Sequence, residues 1–100
     1  MEARTSIEGN KATIELVGKI TANALPDLEA AIDGMPVAIR DLDIVLADVD
    51  YVSSAGLRAF VRASKAIAGR GEEFRLVHPN DTVWEVLEIT GFGDVFAVVR

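Results

Sequence analysis

The sequence predicts an α/β domain with a mixed central β-sheet of about four to five strands and helices packed mainly on one face. Three observations lead there. Apolar segments with strand patterning recur between segments with helical spacing, in the order β-β-α-β-α-β-α-β. The chain has 100 residues, the size of one domain, and residues 1–100 contain no linker, repeat or low-complexity stretch. Half of the residues are apolar, enough for one packed core and too many for a disordered chain.

The elements follow in order. In Lys11 to Val17, apolar Ala12, Ile14 and Leu16 alternate with Thr13 and Glu15, the pattern of a strand with one wet face. Thr5 to Ile7 is its hairpin partner across the Gly9-Asn10 turn signal, and Gly18 is expected to end the strand. Thr21 or Asn23 starts a helix to about Ile32. Pro26 is tolerated in its first turn, and Gly34 and Pro36 close it. Leu42 to Ala47 is nearly continuously apolar, as in a central strand covered on both faces. A helix from about Gly56 to Ala68 places Leu57, Phe60, Val61, Ser64, Ile67 and Ala68 on one side. Arg58, Arg62 and Lys65 lie on the other, and Gly69-Arg70-Gly71 supplies the stop. Phe74 to Val77 is the next strand, parallel to the one from Leu42 if the crossover is right-handed. Asn80 or Asp81 caps a helix through Ile89, with Gly91 at C′ and Phe92 folding back on the last turn. Val95 to Val99 ends the pattern as a short strand, either an edge that invites pairing or an ordinary one. Monomer and weak homodimer are both open.

Composition narrows the function. The net charge is −6, with acids clustered at Asp41, Asp43, Asp48 and Asp50, which argues against nucleic acid and for a protein partner. No apolar run approaches the ~20 residues of a membrane span, and Met1 to Gly18 lacks the apolar core of a secretory signal. The chain has no cysteine, which fits a cytoplasmic setting and removes thiolate chemistry. His78, before Pro79, is expected to be a strand-end loop residue rather than a catalytic base. Asp41 and Asp43 precede the central strand while Asp48 and Asp50 follow it, so the two pairs are separated and no metal site is expected. Trp84 is expected in the core or as its half-buried cover. No glycine loop that could cradle a cofactor's phosphate opens a helix, and no cofactor is implied.

The segment Asp48-Val49-Asp50-Tyr51-Val52-Ser53-Ser54-Ala55-Gly56-Leu57 carries most of the information. It places two hydroxyls at a strand-to-helix junction, where unpaired N–H groups and the helix dipole favour negative charge. A nucleophile elbow would need a glycine two places before the serine, which neither Ser53 nor Ser54 has. Helix capping and phosphorylation are both open from position alone.

The residues of this junction, with Leu16-Val17-Gly18-Lys19-Ile20-Thr21, Gly69-Arg70-Gly71-Glu72 and Val86 to Phe92, resemble the STAS domain of bacterial anti-sigma factor antagonists over nearly the whole chain. The resemblance implies a phosphorylation-controlled protein-binding switch rather than an enzyme. Its partner would be an anti-sigma factor/serine kinase of the histidine-kinase-like ATPase type. Binding that partner frees a sigma factor, and a serine phosphatase reverses the modification. The family's acceptor motif, Asp-Ser-Ser/Thr-Gly-Leu, falls on Ser53, Ser54, Ala55, Gly56 and Leu57 without gaps. Ser54 is thus the expected acceptor and Ser53 its rival. Ser53, Ser54, Ala55, Gly56, Arg58 and Arg62 are the expected partner surface. Two residues depart from the motif: Ser53 stands in place of the acid and Ala55 in place of the second hydroxyl. The alternative is a non-phosphorylated STAS adaptor or scaffold subunit of a transporter or signalling complex.

Overall fold

The computed structural model describes residues 1–68 and 73–100, Ala68 by its backbone alone. A five-stranded mixed sheet runs in the order β1-β2-β3-β4-β5, with β1 Glu2–Glu8, β2 Lys11–Ile20, β3 Asp41–Val52, β4 Glu73–Val77 and β5 Ala97–Val99. Three helices connect the strands: α1 Leu25–Asp33, α2 Ser54–Ala68 and α3 Asp81–Ile89. β1 and β2 form the expected hairpin across Gly9, whose φ of 62° is one that glycine tolerates best. The pairs β2–β3, β3–β4 and β4–β5 are all parallel.

One face of the sheet makes the core. Ala12, Ile14 and Leu16 of β2, Leu42, Ile44 and Leu46 of β3, and Phe74 and Leu76 of β4 are buried in one cluster with the apolar stripes of the helices. Leu28 and Ile32 come from α1, Leu57, Phe60, Ala63 and Ile67 from α2, and Val83 and Leu87 from α3. This alternation is what a one-sided sheet requires. Phe96, which sequence periodicity did not single out, joins Phe60, Phe74 and Phe92, with ring centroids 6.4, 5.7 and 5.8 Å away.

Several expectations change. β3 is not covered on both faces: Asp43 and Val45 are half-buried and Ala47 is exposed. Its apolar run reflects one face packed in the core and a second lined partly by ion pairs. Gly18 does not end β2. It lies inside the strand with φ 101°, at a shift in register against β3. Thr21 and Asn23 do not cap α1: Ala22–Ala24 forms a 3₁₀ turn, and α1 starts at Leu25 with no side-chain cap. α2 begins at Ser54, two residues before the expected start, and Ala59 and Ala63 belong to its buried side. Asn80 does cap α3, its Oδ1 accepting from the Val83 N–H at 2.8 Å, and Gly91 follows the helix with φ 79°. The expected stop at Gly69-Arg70-Gly71 lies outside the described residues.

Candidate functional site

The geometry of the junction starts in the pairing of β2 with β3. From Lys11↔Asp41 to Glu15↔Val45 the two strands advance together. Val17 then faces Asp48, and after Gly18↔Val49 the next pair is Lys19↔Tyr51, so β3 twice spends one more residue than β2. Such bulges bend a strand and re-aim its side chains. Here they break the alternation: Leu46, Val49 and Val52 point into the core, while Ala47, Asp48, Asp50 and Tyr51 are exposed. Asn80 holds the bulged segment from the other side, its Nδ2 donating to the Val49 carbonyl at 2.8 Å.

The chain then turns directly into α2. The Ser53 N–H donates to the Ile20 carbonyl at 2.8 Å, which ties the turn to the end of β2. Ser53 Oγ accepts from the Gly56 N–H at 3.1 Å, and the Ser53 carbonyl accepts from the Leu57 N–H at 3.0 Å. Ser53 is therefore the N-cap, satisfying one of the donors a helix start leaves unpaired. Ser54 is the first helical residue and is exposed, whereas Ser53 is half-buried. The two serines thus divide the alternatives that position alone left open: one caps, and the other faces solvent.

Gly56 explains how close this turn can sit to the sheet. A Cβ built there would lie 2.7 Å from Ile20 Cγ2 and 3.2 Å from Val52 Cγ1. The glycine is needed for the approach of α2 to the ends of β2 and β3, and it is buried, so it supports the site from beneath. Ala55 is half-buried. With Leu25, Glu29, Arg58, Ala59 and Arg62 it lines a groove of about 240 Å³ between α1 and α2.

The expected cationic stripe is exposed but not uniform. Arg62 reaches α1, its Nη1 3.0 Å from Asp33 Oδ1 and its Nη2 3.5 Å from Asp33 Oδ2. The hydrogen bond that Arg62 donates to Asp33 raises the guanidinium pKa above its ordinary value, against a cost of burial. Arg58, one turn nearer Ser54, makes no ion pair or side-chain hydrogen bond among the described residues. Ser53, Ser54, Ala55, Gly56, Arg58 and Arg62 thus belong to one corner of the molecule, with Ser54, Arg58 and Arg62 exposed on it. Sequence reasoning missed Tyr51 as a neighbour of this corner. It is 47% exposed on the bulged end of β3, two residues before Ser53.

The acids divide as well. Arg75 of β4 stands beside β3 and pairs with Asp43 at 2.7 Å, with Asp41 and with Glu73, and Lys11 adds a contact to Asp43 at 3.1 Å. Burial alone would lower the Arg75 pKa, yet the hydrogen bonds and charges of Asp41 and Asp43 more than offset it and leave the pKa raised. Asp41 and Asp43 are therefore parts of a cross-strand ion network inside β3, not residues that precede the strand as expected from sequence. Asp48 and Asp50 are exposed and carry no salt bridge among the described residues, and no cluster there has the ligands for a metal ion. His78 is a strand-end residue as expected, exposed and with φ 56°; its N–H donates to the Val99 carbonyl. Trp84 is half-buried beneath Arg100, whose guanidinium carbon lies 4.6 Å from the ring centroid. Among the described residues, no helix is long and apolar enough to cross a membrane.

Comparison with known proteins gives a family, curated relatives and solved structures of similar fold. The family model described as "Mlab, STAS domain" matches residues 3–100. The anti-sigma-B factor antagonist of Staphylococcus aureus (strain NCTC 8325 / PS 47) is 26% identical over 99 residues, covering 98% of this chain and 92% of that protein. That of Bacillus subtilis (strain 168) is 27% identical over 89 residues, covering 89% and 82%. Among solved structures, a putative anti-sigma factor antagonist from Thermotoga maritima superposes with a TM-score of 0.85 at 19% identity, covering 98% of this chain and 86% of its own. The Bacillus cell fate determinant SpoIIAA in its phosphorylated form gives 0.76 at 15%, covering 99% and 92%. These structural likenesses establish the shared fold.

Proposed function

The chain belongs to the STAS-domain family, and we propose that it is an anti-sigma factor antagonist, a protein-binding switch and not an enzyme. In its unmodified form the corner around Ser54 docks on an anti-sigma factor that is also a serine kinase of the histidine-kinase-like ATPase type. Docking withdraws that factor from its sigma factor. Phosphorylation of Ser54 ends the complex and a serine phosphatase restores it, with the cycle running in the cytoplasm. The antagonist names carried by relatives at 26% and 27% identity support the role.

One observation carries the assignment of the acceptor: Ser54 is exposed at the first position of α2, while the cap is made by Ser53. A phosphoryl group on Ser54 therefore removes no hydrogen bond that the fold uses. It adds about −1.5 to −2 charge where the helix dipole favours an anion, so the domain keeps its structure. The partner meets something different. A surface fitted to a small neutral hydroxyl has to accommodate bulk and charge and to desolvate both. A loss of ~3 kcal/mol in binding is already more than a hundredfold in affinity. Ser53 is the poorer acceptor, because it is half-buried and its oxygen already accepts from Gly56. Incubation with the cognate kinase and ATP, followed by mass spectrometry, is expected to place the phosphate on Ser54. An unmodified Ser54 in a complex that persists would end this proposal.

A second function is favoured by Ser53 and Ala55, which depart from the family's acceptor motif: a STAS adaptor or scaffold that is never phosphorylated. It predicts that Ser54→Asp and Ser54→Ala bind the partner equally, apart from small effects on the helix start. The switch predicts loss for Ser54→Asp and retention for Ser54→Ala.

A further inference from the structure

Resting on Ser54 as the phosphate acceptor, we propose that Arg58 is the intramolecular partner of the phosphoryl group, so that modification draws Arg58 out of the α1–α2 groove and onto Ser54. Three features of α2 lead to this. Ser54 and Arg58 are both exposed and stand four residues apart on one continuous helix. That spacing brings side chains together on a helix surface, with Cβ atoms roughly 5–6 Å apart. The other described cations of α2 are committed or distant. Arg62 is held by Asp33 at 3.0 Å, and Lys65 lies eleven residues from Ser54, roughly 16 Å along the axis at 1.5 Å per residue. Arg58 makes no ion pair among the described residues, so engaging the phosphoryl group breaks no existing contact there.

The charges facing this corner decide whether the pair forms. Asp48 and Asp50 of β3 are exposed nearby on the strand that leads into α2, and Glu29 of α1 lines the groove with Arg58. Lys19 of β2, paired with Tyr51, is an exposed cation beside the junction but outside α2. Glu29 is the rival for Arg58, but it offers one carboxylate with no hydrogen bond to Arg58 in the unmodified protein. A phosphoryl dianion presents three strong acceptor oxygens to the planar fork of a guanidinium, the better match in charge and shape. Ala55 offers no hydroxyl to bond the group, which leaves Arg58 as the side-chain donor on α2 within a turn of it. Modification then changes the corner twice, by adding bulk at Ser54 and by removing a cation from the groove floored by Leu25, Ala55 and Ala59.

The test uses the full chain with phosphoserine installed genetically at position 54, so it does not depend on finding a kinase. Phosphorus NMR follows the second phosphate ionisation, near pH 6 in the absence of partners. With Arg58 present the group is expected to titrate roughly 0.3 of a pH unit lower than in Arg58→Ala, a difference the size of one exposed helical ion pair. The difference shrinks in 1 M salt, Arg58→Lys keeps part of it, and Arg62→Ala leaves the titration where it was. An Arg58→Ala protein that titrates with its parent, or an Arg62→Ala protein that shifts as far, overturns the proposal. The acceptor itself is tested separately by mass spectrometry of the kinase reaction. A shift that depends on Arg58 without kinase labelling of Ser54 keeps the phosphate chemistry and removes the switch.

Discussion

At its start, β3 holds Asp41 and Asp43 half-buried against Arg75 and Lys11, in a register that β2 and β4 keep without interruption. At its end the same strand bulges twice, loses its pairing with β4 beyond Val45, and leaves Asp48, Asp50 and Tyr51 in solvent before turning into α2. The chemistry of the two ends is alike in sequence and opposite in the folded chain. Acids that meet a cation across a regular ladder become part of the sheet. Acids on a bulged segment that pairs with β2 alone remain available to something else. The contrast separates a region that stabilises the fold from a region that offers a surface.

The comparison can be broken at either end. The largest effect is expected from Arg75→Ala, which removes the ion pairs of Arg75 with Asp41 and Asp43 and leaves Asp43 its contact with Lys11. It should cost about 2 kcal/mol, because one partner of a partly buried charged group has been removed while its acids remain only partly shielded from solvent. Chemical denaturation reads the loss as a lower midpoint. Gly56→Ala comes next. Alanine normally stabilises a helix over glycine by ~1 kcal/mol, but here its Cβ meets Ile20 at 2.7 Å. Overpacking of this kind costs ~1–3 kcal/mol, so a net loss of about 1 kcal/mol is expected, and a gain in stability would contradict the tight approach of α2 to β2. Ser53→Ala removes the cap and should cost ~1 kcal/mol, while Ser54→Ala should cost less, which thermal unfolding of the two variants compares directly. Asp48→Asn with Asp50→Asn should change stability by no more than about 0.5 kcal/mol. If the exposed acids steer a cationic partner, that pair alters the association rate and its salt dependence instead.

Local patterning carried much of the fold into the sequence. Alternation at Ala12, Ile14 and Leu16, the Asn80 cap and the turn at Gly9 each act within a few residues, and each appears where it was expected. What escaped depends on partners far away in the chain. The bulges in β3 exist only relative to β2, so nothing in Leu46 to Tyr51 alone announces them. Arg75 meets Asp43 across 32 positions and Arg62 meets Asp33 across 29, distances at which charge patterning gives no pairing. The same holds for the site. That two serines stand at a strand-to-helix junction was legible. That Ser53 caps while Ser54 faces solvent, and that Gly56 is there for Ile20, required the turn to be placed against β2.

The central claim is that Ser54 is a surface hydroxyl whose charge state decides partner binding without altering the fold. Its most direct measurement is the affinity of the cognate anti-sigma factor for the unmodified chain, for Ser54→Ala and for the chain carrying phosphoserine at 54, with thermal unfolding recorded on the same samples. The expected result is near-parental binding by Ser54→Ala, a loss of roughly a hundredfold or more with phosphoserine, and unfolding temperatures within a few degrees of one another. Equal affinity of the phosphorylated and unmodified chains, or a loss of binding that tracks a loss of stability, would contradict it.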